Sequence, residues 1–231
     1  MVVIGEEIIV YLNMKNQILV LFSFILISVT AFSQSKDSLC IEFKKDTFYA
    51  KIASYLDLHK GDTLADIGAE YGYTIVRIAH YNPGVIFYEE DINRWITNRV
   101  FFKSTIKKAC ANVDINSFKY FRGTPTSTKF SDHFFKKIFI ALSIHEFEFK
   151  EIMMQDIKRI LRSDGHLYIM ESFFKRPAEK EKNCKRPYLL KPDFLSLMKN
   201  AGFELVKEIE MLETDDASNT EFSFFEYKIK E

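Results

Sequence analysis

The apolar positions of the chain fall into short runs separated by amphipathic stretches. Phe48, Ile52, Tyr55 and Leu56 recur at helical spacing, which predicts a helix to about Leu58 and a turn at His59-Lys60-Gly61-Asp62. Thr63 to Ile67 reads as a strand ending at Gly68, and a helix is predicted from about Tyr73 to His80, broken by Asn82-Pro83-Gly84. Val85 to Tyr88 is the second predicted strand, Ile92 to Ala111 the next helix, and Phe118 to Phe121 the third strand. Ile138 to Ile144 is unbroken and apolar, the pattern of a central parallel strand buried on both faces. Ile152, Met153, Ile157, Ile160 and Leu161 mark a further helix, which Ser163-Asp164-Gly165 stops before a fifth strand, His166 to Met170.

The last part of the chain changes pattern. Pro192 opens a helix that Gly202 closes. Two strand-like runs follow, Phe203 to Met211 and Glu221 to Lys230, with no helix between them. In the second, Phe225, Tyr227 and Ile229 alternate with Glu226, Lys228 and Lys230. The expectation is an α/β protein with a doubly wound, mostly parallel, seven-stranded sheet and an antiparallel C-terminal hairpin. No internal repeat or second domain is visible, and residues 173–190 are the one long polar connection.

The N-terminus reads differently again. Ile18 to Val29 is apolar except for Ser23 and Ser28. That is too short for a spanning helix, which needs about 20 apolar residues, but it suits the core of a signal peptide. Lys15 precedes it and Ala31-Phe32-Ser33 supplies the small-x-small cleavage pattern. Glu6 and Glu7 fit poorly before such a segment, so Met14 is expected to be the true start, with the residues upstream a mis-assigned extension. The expected organisation is residues 1–33 as extension and signal peptide, 34–44 as a short linker and 45–231 as the α/β domain. The protein is then exported, periplasmic or secreted, with no stable membrane insertion after cleavage. The alternative is an uncleaved segment that anchors it.

Composition narrows the classes. Of 231 residues, 47% are hydrophobic and only 8 are Gly and 5 Pro, so a disordered or collagen-like chain is excluded. With 23 Phe, the core is expected to be built on bulky side chains. Basic and acidic residues balance at 32 each, and at 31 to 30 after removal of residues 1–33. Such a balance gives no footprint for nucleic acid or an anionic membrane. The three cysteines, Cys40, Cys110 and Cys184, form no C-x-x-C pair; they are free thiols or include one disulfide. His59, His80, His133, His145 and His166 show no metal-ligand spacing, so no metal is expected.

The first strand and its loop, Asp66-Ile67-Gly68-Ala69-Glu70-Tyr71-Gly72-Tyr73, resemble the first motif of class I S-adenosylmethionine-dependent methyltransferases. Arg159-Ile160-Leu161 before Asp164-Gly165 and Leu190-Lys191-Pro192-Asp193-Phe194 through Ala201-Gly202-Phe203 are similar to its later segments. The order of elements agrees, so the resemblance covers about residues 45–231. It implies a Rossmann-like fold, S-adenosylmethionine as cofactor and a small-molecule or cell-envelope methyl acceptor. By the same resemblance Asp66, Gly68, Glu70, Gly72, Glu89 and Thr124 are the candidate cofactor residues. Glu89, at the end of the second predicted strand, would take the ribose hydroxyls, and Asp91 would cap the next helix. The sequence departs from the family pattern at Glu70, where the middle glycine belongs, and at Thr124 and Lys136, where acids are common.

Glycines after the first strand let backbone approach a ligand lying over the carboxyl ends of the strands. Methyl transfer needs the two reactants aligned, and a base when the acceptor carries a proton. Ser143, His145 and Glu146 end the fourth predicted strand. His145 and Glu146 are the catalytic candidates, His145 either as a base or as a packed strand-end histidine, with Glu171 a weaker candidate. Tyr71 and Tyr73 are candidates to wall the cofactor, Tyr73 equally to belong to the core. Six basic residues, Lys175, Arg176, Lys180, Lys182, Lys185 and Arg186, would either favour an anionic acceptor or form a solvated loop. The G-x-G-x-x-G and G-x-S-x-G patterns are absent, against a dinucleotide-binding domain and an α/β-hydrolase. No Asn-Pro-Pro-aromatic sequence ends the fourth strand, against methylation of a nucleic-acid amine. The competing reading is an exported, non-catalytic binding module that kept the fold and lost the cofactor.

Overall fold

The computed structural model describes residues 47–93, 95–174, 189–211 and 220–230. The expected signal peptide, the linker and the basic residues of 175–186 lie outside these. The elements run α1 (Thr47–Tyr55), β1 (Thr63–Ile67), α2 (Tyr73–Tyr81), β2 (Ile86–Asp91), α3 (Arg99–Lys108), β3 (Phe118–Arg122), β4 (Phe135–Ala141), α4 (Lys150–Ile160), β5 (Leu161–Phe174), α5 (Lys191–Ala201), β6 (Phe203–Glu210) and β7 (Thr220–Ile229). Single 3₁₀ turns occupy Ile115–Ser117 and Ile144–Glu146. Among the described residues, no helix is long and apolar enough to cross a membrane.

The seven strands form one sheet in the order β3-β2-β1-β4-β5-β7-β6. The first five are parallel; β7 pairs antiparallel with both β5 and β6. The strand order reverses direction between β1 and β4. That crevice, at the carboxyl ends of the strands, is where open α/β sheets place ligands. β4 has the continuous burial its sequence foretold, with Ile138, Phe139 and Ile140 fully buried. Phe173, Phe194, Phe225 and Tyr227 stack beneath α5, and Tyr88, Phe121, Phe130, Phe134 and Phe135 form a second aromatic group.

Four boundaries differ from expectation. β2 continues through Glu89 and Glu90 to Asp91, because the ladder with β1 holds as far as Ile67–Glu90 and that with β3 as far as Asp91–Arg122. α3 begins only at Arg99, where Asn98 accepts from the N–H groups of Val100 and Phe101; Asp91 therefore caps no helix. β4 stops at Ala141; the chain bends at Leu142, and a 3₁₀ turn opens at Ile144. The predicted stop at Ser163-Asp164-Gly165 is an irregularity inside β5, which pairs with β4 at Phe135–Leu161 and resumes at Lys137–His166. A Cβ on Gly165 would stand 2.8 Å from the Lys136 carbonyl, so the extra residues pass only because that position is bare.

Candidate functional site

The loop from β1 to α2 is shaped by its backbone. Gly68 and Gly72 have φ of 77° and 73°, and a Cβ on Gly68 would lie 2.6 Å from Cβ and Oγ of Ser143. Ser143 donates its hydroxyl to the Gly68 carbonyl at 3.0 Å, tying the ends of β1 and β4 together. Glu70, in the place of the missing glycine, adopts φ 48°, the left-handed conformation a glycine would take freely. The residue is exposed, and its N–H donates to Asp91 Oδ2 at 3.0 Å. Asp91 Oδ1 also accepts from the Asn93 N–H at 2.7 Å.

Above this loop opens a cavity of about 330 Å³, lined by residues that include Asp66, Gly68, Ala69, Glu70, Tyr73, Glu90, Asp91, Ile92, Pro125, Leu142, Ser143, Glu146, Phe147 and Met153. Of the sequence candidates, Asp66, Gly68, Glu70 and Glu146 reach it. Gly72 does not; it starts α2, and any side chain there would strike Phe102. Tyr73 lines the cavity, whereas Tyr71 packs on Phe101 and Tyr73 behind it.

Two cofactor candidates are displaced. Glu89 is fully buried opposite Asp66 in the β1–β2 ladder and does not line the cavity. The strand runs three residues past Tyr88, so the acid at its true carboxyl end is Asp91. Thr124 also falls outside the lining. It closes a small bridge, its N–H and Oγ1 both donating to the Ser127 carbonyl, and its neighbour Pro125 faces the cavity instead. The residues missed by sequence reasoning are therefore Glu90, Asp91, Ile92, Pro125 and Leu142. The available signal was Asp91-Ile92-Asn93, an acid followed by an apolar residue and a turn former.

The carboxyls beneath and around the loop are electrostatically strained. Burial pushes Asp66 up to about 7 and holds Glu89 well above the usual carboxylate range, with the Asp66 charge adding to the effect on Glu89. Burial, then the charges of Asp91 and Asp156, push Glu90 up to about 8. Its Oε1 is buried against Gly123, where a Cβ would stand 1.7 Å from it, and the Gly123 N–H holds the carboxyl down in part. Glu70 is raised by partial burial and by the charges of Glu146 and Asp91. Asp91 is raised by burial, against the N–H groups of Asn93 and Glu70 that hold it down.

His145 stands one step behind the cavity, buried, on the 3₁₀ turn after β4. Its Nδ1 is 3.1 Å from Oε1 of Glu171, a fully buried carboxylate near the end of β5. Glu171 also accepts from the N–H groups of Ile144 and Ser172. Because Glu171 can only accept in this arrangement, the hydrogen sits on Nδ1 of His145. The Nε2 side faces Glu146, 3.8 Å from its Oε1. Sequence reasoning ranked Glu171 as a weak base; the structure makes it the partner of His145. Lys136 is exposed at the start of β4, and Lys137 beside it is buried, donating to Asp62 and the Asp57 carbonyl. Among the described residues, no group of His, Cys, Asp and Glu has an arrangement that holds a metal ion.

Residues 97–169 match the family model described as a methyltransferase domain. The chain has the class I methyltransferase fold. Solved structures that share it include the [4+2]-cyclase SpnF, with TM-score 0.66, 13% identity, and 80% of each chain covered. Another is a SAM-dependent methyltransferase from Aquifex aeolicus, with TM-score 0.61 and 13% identity over 78% of this chain and 89% of that one. A third is geranyl diphosphate C-methyltransferase from Streptomyces coelicolor A3(2), with TM-score 0.60 and 10% identity over 78% and 79%. No curated protein matches the sequence. The seven-stranded sheet with its antiparallel last strand is the expected one.

Proposed function

We propose that the protein is an S-adenosylmethionine-dependent methyltransferase acting on a small molecule or a cell-envelope component. The observation that carries the reading is the cavity floor. Gly68 in left-handed conformation leaves no side chain over the carboxyl end of β1, and the Asp91 carboxylate is fixed beside it. The neighbour from Streptomyces coelicolor is described in complex with S-adenosyl-L-homocysteine, on the same fold.

The residues present fit the cofactor. Asp91 would take the ribose hydroxyls, and Ile92 and Pro125 offer apolar surface for the adenine ring. Glu70 does not fill the site, since it adopts the conformation of the glycine it replaces and is exposed. When bound, the cofactor supplies an electrophilic methyl group on a sulfonium. The protein aligns the acceptor with it and keeps the reacting centre among Leu142, Phe147 and Met153.

Export, with cleavage after Ser33, is part of the same proposal. Lys15, the apolar run and Ala31-Phe32-Ser33 support it. The competing reading, a binding module without cofactor, draws on Glu70 and on SpnF, whose description as a cyclase shows that this fold does not fix one reaction.

Calorimetric titration with S-adenosylmethionine and S-adenosylhomocysteine decides between them. Binding is expected, weakened about tenfold or more in Asp91→Asn and much less in Glu89→Gln, as a charge-assisted contact of roughly 1.5–3 kcal/mol requires. Absence of heat and of thermal shift at millimolar ligand, in wild type and in Glu70→Gly, would give the site to the binding module.

A further inference from the structure

We propose that the turn before α3 and the outer face of that helix dock on an anionic lipid bilayer, beside the mouth of the cavity. The docking does not depend on the methyltransferase reading; its bearing on the acceptor does.

Between Asp91 and Asp114 the sequence carries Arg94, Arg99, Lys103, Lys107 and Lys108 and not one acid. In a chain whose charges balance at 32 each, this run is the exception, and the balance of the whole conceals it. The two acids that flank it are engaged. Asp91 accepts from the N–H groups of Glu70 and Asn93, and Asp114 from that of Asn116. Arg99, Lys103, Lys107 and Lys108 are all exposed on α3.

The same segment exposes apolar side chains. α3 turns Phe102 and Thr105 inward: Phe102 packs on Phe118 and Tyr120, and the Thr105 hydroxyl donates to the Tyr71 carbonyl. That anchoring commits the opposite face to solvent, where Val100 is 77% exposed and Phe101 is exposed beside it. Trp95, in the turn ahead of the helix, is 70% exposed, and Ile92 is exposed too. Asn98 holds turn and helix together: its amide donates to the Trp95 carbonyl while its Oδ1 accepts from Val100 and Phe101. The patch runs on into the cavity. Phe101 packs on Tyr71 and Tyr71 on Tyr73, while Tyr73 and Ile92 line the cavity itself. Large apolar side chains exposed in one place mark a surface that meets a partner.

An anionic bilayer matches both halves of this surface. Trp and Tyr favour the membrane–water interface, aliphatic side chains sink below it, and Lys and Arg reach lipid phosphates with their stems along the apolar surface. Nucleic acid would take the cations and stack on Trp95, but Val100 and Ile92 have no ring to offer a base. A second copy of the chain, related by a two-fold axis, would set the same cations against themselves. On the methyltransferase reading, a cavity that opens beside such a face takes its acceptor from the bilayer, so the acceptor is a membrane amphiphile rather than a free solute.

Trp95 is the sole tryptophan of the sequence, so its fluorescence reports on this face alone. Protein recovered from its own cell is mixed with vesicles of equimolar phosphatidylglycerol and phosphatidylcholine, and with vesicles of phosphatidylcholine only. The anionic vesicles are expected to shift Trp95 emission to the blue and to make it quenchable by brominated acyl chains. They should bind at least about tenfold tighter than the neutral ones, a gap that closes with added salt. Lys103→Gln, Lys107→Gln and Lys108→Gln together should weaken that binding by on the order of a hundredfold, at about fivefold per charge. Val100→Glu should weaken it too, with no fall in Tm, because the position is exposed and an acid in the first turn of a helix is favourable. Trp95 emission unchanged by anionic vesicles, or shifted equally by neutral ones, overturns the proposal. So does a response to single-stranded polynucleotide and not to vesicles, which would give the face to nucleic acid, and so does vesicle binding that both sets of substitutions leave unchanged. S-adenosylhomocysteine binding is measured separately: its failure removes the amphiphile as acceptor and leaves the docking standing.

Discussion

Replacing Glu90 by Gln should change how the stability of this protein depends on pH. Glu90 is 2% exposed, and its carboxyl is pushed from an ordinary 4.5 up to about 8 by burial and by Asp91 and Asp156. A folded-state value above the unfolded one means that the folded protein holds a proton that the unfolded chain gives up. Stability from this group is therefore fully present below about pH 4.5 and is lost as pH rises through about 8. At 1.36 kcal/mol per pH unit, the whole span is of the order of 3–6 kcal/mol. Glutamine keeps the shape and cannot ionise. The difference in unfolding free energy, Glu90→Gln minus wild type, should rise by roughly 1.4 kcal/mol per pH unit between about pH 5 and 7.5 and level off above about pH 8. Urea titrations of both proteins across that range measure it. The Asp66 and Glu89 carboxyls, also raised, occur in both proteins; the Asp66 charge acts on Glu90, so its part of the difference cancels only partly. A flat difference curve, or one that falls with pH, would show that Glu90 is not a buried acid held neutral at the cavity wall.

Glu70→Gly should stabilise the domain, because it relieves a left-handed residue worth about 1–2 kcal/mol; a rise of roughly 2–4 °C or more in Tm is expected, and a fall would contradict the assigned backbone. Gly68→Ala should destabilise by about 1–3 kcal/mol and weaken S-adenosylhomocysteine binding, since the new Cβ meets Ser143 at 2.6 Å; calorimetry and a urea midpoint test both. N-terminal sequencing of protein recovered from its own cell should begin at Gln34. A soluble product starting at Met1 or Met14 would refute export.

The order of elements was readable because each strand is a compact apolar run and each helix has punctuation: Asn82-Pro83-Gly84 after α2, Pro192 and Gly202 around α5. The site was only half readable, for a physical reason. Glu89-Glu90-Asp91 has the polarity of a turn, and buried carboxylates are rare enough that the pattern predicts a strand only to Tyr88. Only the ladder to β1 and β3 shows that all three acids belong to β2, and that shift moves the acid at the strand's carboxyl end from Glu89 to Asp91. The same reasoning explains Ile144, whose apolar side chain suggested more strand where the chain turns to carry His145 toward Glu171. Gly68 and Ser143 are 75 residues apart, and no periodicity announces that one is bare because the other stands against it.

β7 is the last strand of the sheet in sequence, yet it lies between β5 and β6 and is the sole link by which β6 joins the sheet. During synthesis, then, β5 emerges with an open, hydrogen-bonding edge and β6 with no partner, and both wait for residues 220–229 to leave the ribosome. Until that moment the aromatic stack of Phe173 and Phe194 lacks Phe225 and Tyr227, half of its members. The nascent domain is therefore held short of its native state by chain order alone, and a stop codon ahead of Thr220 should yield a sticky, protease-sensitive intermediate rather than a smaller domain.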